Sequence, residues 1–142
     1  MFRHKNIARA LLKEAKSDLN SARLLLAGGE YSRAISHCQH TAEKALKAAL
    51  ALQGIIITRE HIVSPDFLAA YQDFPEAENI AMAVSALEKE GTRTEYPFFG
   101  RPDLPIWIPS ERYGQGDAME ALAKAEYVFQ AIADLLKQRY QI

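Results

Sequence analysis

The segment YSRAISHCQHTAEKALKAALALQ, residues 31–53, carries a continuous amphipathic pattern that decides the fold. At about 100° per residue, its apolar side chains fall on one face of an α-helix. They are Tyr31, Ala34, Ile35, Cys38, Ala42, Ala45, Leu46, Ala49 and Leu52. Many of these residues are alanines, so the backbone of a neighbouring helix can approach closely. We therefore predict a packed helix from about Glu30 to Gln53, with Gly54 just past its end.

The opposite face of this predicted helix carries charged and imidazole groups at helical steps of four, three, four and three. We call this set the helix-two ladder: Arg33, His37, His40, Lys44 and Lys47. The simplest interpretation is a solvated helix face, on which Glu43 and Lys47 form a favourable i,i+4 pair. Two alternatives remain open. The ladder could be an anion-binding groove at an interface for phosphate or RNA, or it could take part in catalysis.

Apolar residues at steps of three and four, together with helix start signals, predict four further helices. They are Ile7–Ala27, Pro65–Gln72, Pro75–Glu90 and a last helix that begins at Asp117. Ser64 is the expected N-cap of the short helix Pro65–Gln72, with Pro65 at the first helical position. Asp117 with Glu120 has the spacing of a capping box at the start of the last helix. Ile55–Val63 contains β-branched residues, but the chain offers no partner strand, so we interpret it as an apolar connection packed on the helices. The predicted fold is an all-α, up-and-down bundle of four to five helices.

The segment 92–116, before the last helix, has no helical period. It contains four prolines and five aromatic residues: Tyr96, Phe98, Phe99, Trp107 and Tyr113. Long loops without secondary structure are uncommon inside compact domains, and aromatic residues are scarce in disordered segments. We therefore predict an ordered loop that is held against the bundle or against a second subunit.

The composition fits one globular domain over residues 1–142, with 49% hydrophobic and 25% charged residues. Seventeen basic residues face eighteen acidic ones, which leaves a net charge of −1 and argues against a dedicated nucleic-acid-binding module. The single cysteine, Cys38, cannot form an internal disulfide. No apolar run is long enough to cross a bilayer. We therefore expect a cytoplasmic protein that does not enter a membrane.

Helix two also contains a family motif. Tyr31–Ala34 (YSRA) followed by His40–Ala48 (HTAEKALKA) resembles the signature of HEPN domains, the higher eukaryotes and prokaryotes nucleotide-binding domains. His61 falls where that family often has a histidine after its second helix. Tyr96-Pro97 resembles the Tyr-Pro of the family's Arg-Tyr-Pro loop, which precedes the final long helix. The resemblance extends over roughly residues 7–140.

The resemblance implies a bundle with two long antiparallel helices, two shorter ones and a long last helix. It also implies a homodimer. Many prokaryotic HEPN proteins work with a small nucleotidyltransferase encoded beside them, in toxin–antitoxin pairs. Catalytically active members cleave RNA without a metal ion. They use an arginine followed four to six residues later by a histidine, near the start of the last helix.

This sequence departs from that catalytic pattern. Arg112 is the arginine nearest to the last helix, and the positions four to six residues beyond it hold Gly116, Asp117 and Ala118. No histidine follows His61, and Glu95 stands where the family has the arginine before Tyr96. A metal-independent nuclease needs a base for the 2′-hydroxyl proton as well as a cation for the developing negative charge. The departure therefore weakens the nuclease interpretation, and the prediction leans toward a protein that binds a target without cutting it.

Three other features of helix two could form a site. Arg33 and His40 do have an arginine-six-histidine spacing, so a divergent RNase using His40 with Arg33 or Arg112 is the alternative. His37 and His40 point to the same side, but no cysteine or carboxylate spacing completes a four-ligand site, so we predict no metal and no cofactor. Cys38 lies on the apolar face and should behave as a small buried hydrophobic residue.

The residues predicted to contact a ligand or partner lie in helix two and in the loop. They are Arg33, His37, His40, Glu43, Lys44, Lys47, Arg93, Tyr96, Trp107, Arg112 and Tyr113. The loop aromatics and arginines could stack on nucleic-acid bases. The interpretation that we favour is that they cap the bundle or fill a dimer seam.

Three functions follow from these observations. The first is a non-catalytic homodimer that binds a partner protein or nucleotide, in a two-gene module with a nucleotidyltransferase. The second is the divergent metal-independent RNase. The third is a free-standing nucleotide-binding module whose helix-two ladder meets phosphates.

Overall fold

A computed structural model describes residues 2–142, and within that range the chain is helical with no β-strand. The helices are α1 (Phe2–Ala27), α2 (Tyr31–Leu52), α3 (Ser64–Ala70), α4 (Ala77–Glu88), α5 (Pro109–Arg112) and α6 (Gln115–Tyr140). A 3₁₀ turn, Gly91–Thr94, follows α4. The expected all-α bundle is confirmed, with α5 as a single extra turn inside the long loop. No helix in the described range is both long and apolar enough to cross a membrane.

α1 and α2 form an antiparallel hairpin, and its turn depends on Gly29. That glycine has φ +80, a left-handed conformation that costs other residues energy. The Glu30 N–H donates to Leu25 O and the Gly29 N–H donates to Leu26 O, which satisfies carbonyls that the end of α1 would otherwise leave free. The Gly-Gly signal therefore correctly marked the end of the first helix.

α2 is the central helix and packs against α1, α3, α4 and α6. Sixteen of its 22 residues are buried, including polar ones on the face opposite to the alanines. Glu43 and Lys47 are only 7% and 6% exposed. The prediction of a solvated face is therefore wrong for this pair, because α1 and the 55–63 connection cover the side of α2 that the sequence pattern assigned to water.

The cap of α3 differs from the expectation. Ser64 is the first residue of this helix and not its N-cap, which is Val63. The Glu88 carboxylate of α4 accepts the Val63 N–H at 2.7 Å, the Ser64 N–H at 3.1 Å and the Ser64 hydroxyl at 2.6 Å. A distant acid therefore does the work that a local side chain was expected to do.

The cap of α6 is shifted by two residues from the predicted start. The helix begins at Gln115, so Asp117 is its third residue, and the Asp117 carboxylate accepts the Gly114 N–H at 2.9 Å. Glu120 does not take part in this cap. It pairs with Lys124 one turn further on, at 3.0 Å.

Both connecting segments are ordered without being strands. In the 55–63 connection Val63 is fully buried, whereas Ile55, Ile56 and Ile62 are exposed, so only part of this run packs on the bundle. In the loop, the backbones of Phe98 and Trp107 exchange two hydrogen bonds at 3.0 and 2.9 Å. That isolated bridge folds the loop back on itself.

Candidate functional site

The N-terminal part of the helix-two ladder contacts the base of the 92–116 loop. The Arg33 guanidinium donates to the backbone oxygen of Thr94 at 2.7 Å. One turn further on, the Ser36 hydroxyl donates to Glu95 Oε1, and His40 Nε2 lies 3.7 Å from the same oxygen. The 3₁₀ turn and Glu95 are therefore attached to α2 through three side chains, and Arg33 and His40 contact adjacent residues at the base of the loop.

The middle of the ladder meets an acid that the sequence analysis overlooked. Asp18 of α1 is 9% exposed, and its Oδ1 lies 3.0 Å from His37 Nδ1. Its Oδ2 accepts a hydrogen bond from Lys44 at 2.7 Å. Asp18 lies between Ala15, Leu19 and Ala22 on the apolar stripe of α1. An acid in such a stripe was the signal that could have identified it, because a buried carboxylate requires a partner.

The last part of the ladder surrounds Glu43. Its Oε2 accepts a hydrogen bond from Lys47 at 2.8 Å, and its Oε1 accepts one from Gln39 at 3.0 Å. His61 Nδ1 lies 3.1 Å from the same Oε1, although the His61 side chain is largely exposed. A cleft of about 470 Å³ opens beside this pair. Apart from charged groups, its lining includes Ile7, Ala10, Leu11, Ala51, Ile56 and Ile57.

The loop arginines form a separate cluster around Trp107. The guanidinium groups of Arg93 and Arg112 lie 4.9 and 5.3 Å from the indole ring. The indole N–H donates to Arg93 O at 2.8 Å, and Tyr113 meets the indole edge-on with ring centroids 5.9 Å apart. The Tyr113 hydroxyl donates to Glu90 at 2.6 Å. Burial raises the pKa of Tyr113, and the bond to the Glu90 carboxylate raises this pKa further, so the phenol stays protonated.

Beyond Trp107 the loop presents an apolar face to solvent. We call it the loop surface, and it consists of Tyr96, Phe98, Phe99, Leu104 and Ile106, each more than half exposed. A shallow pocket of about 360 Å³ lies at its edge, between Arg93, Tyr96 and Trp107. Patches of this kind on soluble proteins usually mark interaction sites. Cys38, in contrast, is fully buried as expected, and burial raises the pKa of its thiol to about 12.

The predicted site residues therefore separate into two chemically different groups. Along α2, each of the imidazoles His37, His40 and His61 lies beside a carboxylate, and such an arrangement can orient an imidazole. Around Trp107, the groups are two guanidiniums, an indole and a phenol. This second cluster can hold an anion or a base by stacking, but none of its side chains can accept a proton at neutral pH.

Comparison of the chain with models of known protein families identifies its family. The model of the HEPN domain matches residues 8–136, which spans α1 through nearly the whole of α6. The chain belongs to the HEPN family. The resemblance inferred from helix two is thus confirmed, and it covers both clusters described above.

Individual relatives agree with this assignment to the HEPN family. A Methanocaldococcus jannaschii protein named "Putative toxin MJ1304" is 34% identical over an alignment of 142 positions. The alignment covers 94% of this chain and 90% of the relative. The crystal structure of TT1696 from Thermus thermophilus has a TM-score of 0.70 at 30% identity, covering 89% of this chain and 96% of that one. ST0689, described as an archaeal HEPN homologue, has a TM-score of 0.69 at 27% identity, covering 92% and 98%.

Proposed function

We propose that this HEPN protein is a toxin-like component of a two-protein module and that it acts by binding a partner rather than by cutting RNA. The observation that carries the proposal is the cluster around Trp107, in which Arg93 and Arg112 stand before α6 with no imidazole among them. Cations without a proton acceptor can grip a target, but they cannot activate a 2′-hydroxyl group. The relative named as a toxin supports the biological setting.

The loop surface is the proposed protein interface, and its first occupant is a second copy of this chain. Phe99 and Phe98 are 73% and 57% exposed, and Ile106 is 57% exposed. Apolar and aromatic side chains of this kind form the buried centres of protein interfaces. The hydrogen bonds that attach the loop to Arg33 and Ser36 support this role, since an interface that is ordered before binding loses less entropy on binding.

Light scattering at micromolar concentration tests the dimer. We expect twice the chain mass of 15.9 kDa for the wild type and one chain mass for a Phe99→Asp, Ile106→Asp double variant. Met82→Asp on α4 is the matched control, because Met82 is 71% exposed but lies outside the loop surface. A monomeric wild type, or a double variant that remains dimeric, would contradict the proposal.

The second proposed partner is a small nucleotidyltransferase encoded beside this chain. Co-expression of the two proteins, with an affinity tag on only one of them, should yield a complex that survives size-exclusion chromatography. Separately expressed proteins mixed at equal concentrations should give the same complex. If the neighbouring gene encodes no such enzyme, or if the two proteins elute apart, the module is not of this kind.

The RNase alternative keeps one observation in its favour. Arg33 and His40, which have the spacing of an arginine-six-histidine pair, both reach residues 94–95 at the base of the loop. RNA incubated with the purified protein in a chelator should stay intact under our proposal. Degradation that His40→Ala abolishes and His61→Ala leaves unchanged would establish the alternative instead.

Nucleotide binding would use the same stacked arginines. A base can lie against Tyr96 and Trp107 while Arg93 meets a phosphate, since guanidinium groups bind phosphate oxygens in pairs. Titration with ATP or GTP should give saturable binding that Arg93→Ala and Arg112→Ala weaken. Binding that depends on Lys44 and Lys47 instead would point to the helix-two ladder, and no saturable binding would remove the nucleotide from the proposal.

A further inference from the structure

A cluster of three possible metal ligands lies between α1 and α2, and it consists of Asp18, His37 and His40. The sequence pattern indicated only the two histidines. His37 and His40 are three residues apart on α2, and their rings meet at an interplanar angle of 77° with centroids 5.9 Å apart. Sequence spacing offered no acid to accompany them. The fold supplies one from α1, and one donor atom from each of the three residues lies within 4.8 Å of the other two.

We propose that Asp18, His37 and His40 form a binding site for a divalent transition-metal ion such as Zn²⁺, which would link α1 to α2. Imidazole nitrogens with one carboxylate oxygen are donors that suit Zn²⁺, Ni²⁺, Co²⁺ and Fe²⁺ and do not suit Mg²⁺ or Ca²⁺. Three protein ligands leave a further position of the ion open for water or a ligand.

The distances are compatible with this assignment. Two ligands at right angles around an ion at about 2.1 Å are about 3.0 Å apart, and tetrahedral ligands are about 3.4 Å apart. The distance from Asp18 Oδ1 to His37 Nδ1 is already 3.0 Å. The remaining donor has to move closer by up to roughly 1.4 Å, the difference between 4.8 Å and the tetrahedral spacing. The side chains of His37 and His40 are 35% and 37% exposed, so both rings are free enough to make this adjustment.

Neighbouring side chains would position the donors. Asp18 Oδ2 is held by Lys44, which orients the carboxylate and leaves Oδ1 turned toward His37. Glu95, held by Ser36, lies 3.7 Å from His40 Nε2, so a carboxylate is available to orient that ring. Such outer partners of metal-binding histidines and carboxylates fix ring orientation in known sites. The Lys44 ammonium also opposes a second cation, which favours a reversible site over a permanently filled one.

Calorimetric titration of the purified full chain with Zn²⁺ tests the proposal. We expect saturable binding of one ion per chain, a rise in Tm when the ion is present, and no binding of Mg²⁺. Asp18→Asn, His37→Gln and His40→Gln should each weaken Zn²⁺ binding by about tenfold or more. His61→Gln and His4→Gln are the matched controls, because these histidines lie outside the cluster, and both should bind as the wild type does.

A second readout covers the case in which a variant at the cluster folds poorly. Circular dichroism and urea unfolding report the fold of each variant without metal, and Co²⁺ added to the folded wild type should give visible d–d absorption. The Co²⁺ spectrum should disappear when Zn²⁺ is added in excess. The proposal is overturned if wild type binds neither ion, or if folded Asp18→Asn, His37→Gln and His40→Gln bind as tightly as wild type. It is also overturned if binding is lost in His61→Gln.

Discussion

The seam between α1 and α2 and the loop surface are built in opposite ways. In the seam, Asp18, Glu43 and Lys47 are charged groups buried among alanines, and each has a partner within 3.0 Å. On the loop surface, Phe98 and Phe99 are aromatic groups left in water. One region hides charge, and the other exposes apolar area.

The difference separates what holds the fold from what is available for recognition. Buried charges are costly unless they are paired, so the seam should be intolerant of single changes. Exposed apolar groups contribute little to the stability of one chain, because folding removes little of their surface from water. The loop surface is therefore free to serve an interface. Substitutions in the two regions test that contrast, and the largest effect is expected in the seam.

Removal of Glu43 should have the largest effect on stability. Glu43→Ala leaves Lys47 buried without a counter-ion, and loss of one partner of a buried pair costs about 3–5 kcal/mol. Glu120→Ala is the matched control, because Glu120 and Lys124 form an i,i+4 pair of the same kind on the surface, where the cost should be below about 1 kcal/mol. Urea unfolding measures both, and equal costs would mean that the seam is not special.

Leu46→Ala tests the apolar side of α2. Leu46 is fully buried, so the substitution should lower the free energy of unfolding by about 2–5 kcal/mol. Leu24→Ala on α1 removes the same atoms from a side chain that is 75% exposed, and should change stability by less than about 0.5 kcal/mol. Chemical denaturation of the two variants compares them directly. A small cost at Leu46 would show that the core is not where the contacts indicate.

Tyr71 makes a polar contact with the C-terminal end of α2. Its hydroxyl donates to Ala49 O, a carbonyl near the end of α2, where the Gln53 N–H bonds to Leu50 O. Tyr71→Phe leaves that carbonyl without the phenol donor and should cost about 1–3 kcal/mol. Tyr127→Phe, at an exposed phenol that donates to Glu76, should cost less. Thermal unfolding in parallel reports both, and a larger loss at Tyr127 would contradict this ranking.

Tyr71 also predicts a direction for the pH dependence. Burial raises the pKa of Tyr71 above its usual value, and the Tyr140 hydroxyl raises this pKa further. In the unfolded chain the phenol loses its proton at about pH 10, so above that pH the unfolded state binds fewer protons than the fold. The contribution of Tyr71 is therefore complete below about pH 10 and is lost as the pH rises. Above about pH 10, the free energy of unfolding of Tyr71→Phe should fall less steeply with pH than that of the wild type.

The attachment of the loop should show the smallest effect on global stability. Arg33→Ala removes the bond to Thr94 O, so residues near 94–99 should open locally while the bundle persists. Chymotrypsin should then cut faster after Phe98 or Phe99. Arg23→Ala, which removes a surface bridge between α1 and α6, is the matched control and should leave this cleavage unchanged. Global unfolding of Arg33→Ala before any loop cleavage would mean that the loop is part of the core.

Sequence reasoning succeeded where the signal was local. Periodicity of three and four, together with the Ser64-Pro65 start signal, located every helix longer than one turn in residues 2–142, and Gly29 marked the hairpin between α1 and α2. The motif in residues 31–48 identified the HEPN family, which the comparison of residues 8–136 confirms. These properties depend on neighbours within one or two helical turns, and such neighbours are visible in a linear sequence.

Sequence reasoning failed where the partner was distant. Glu88 caps α3 from 24 residues away, and Asp18 meets His37 across 19 positions. The Glu43–Lys47 face was predicted to be solvated for the same reason, because hydrophobic periodicity describes one helix and not the elements that pack on it.

The sequence by itself therefore determined the helices, the family and the absence of a histidine after His61. Only the tertiary structure decided which charges are buried, that Asp18 lies close to His37 and His40, and that Arg93 and Arg112 both lie over the Trp107 ring. The physical reason is that pairing energies depend on distances through space, and those distances arise only when α1, α2 and the loop pack together.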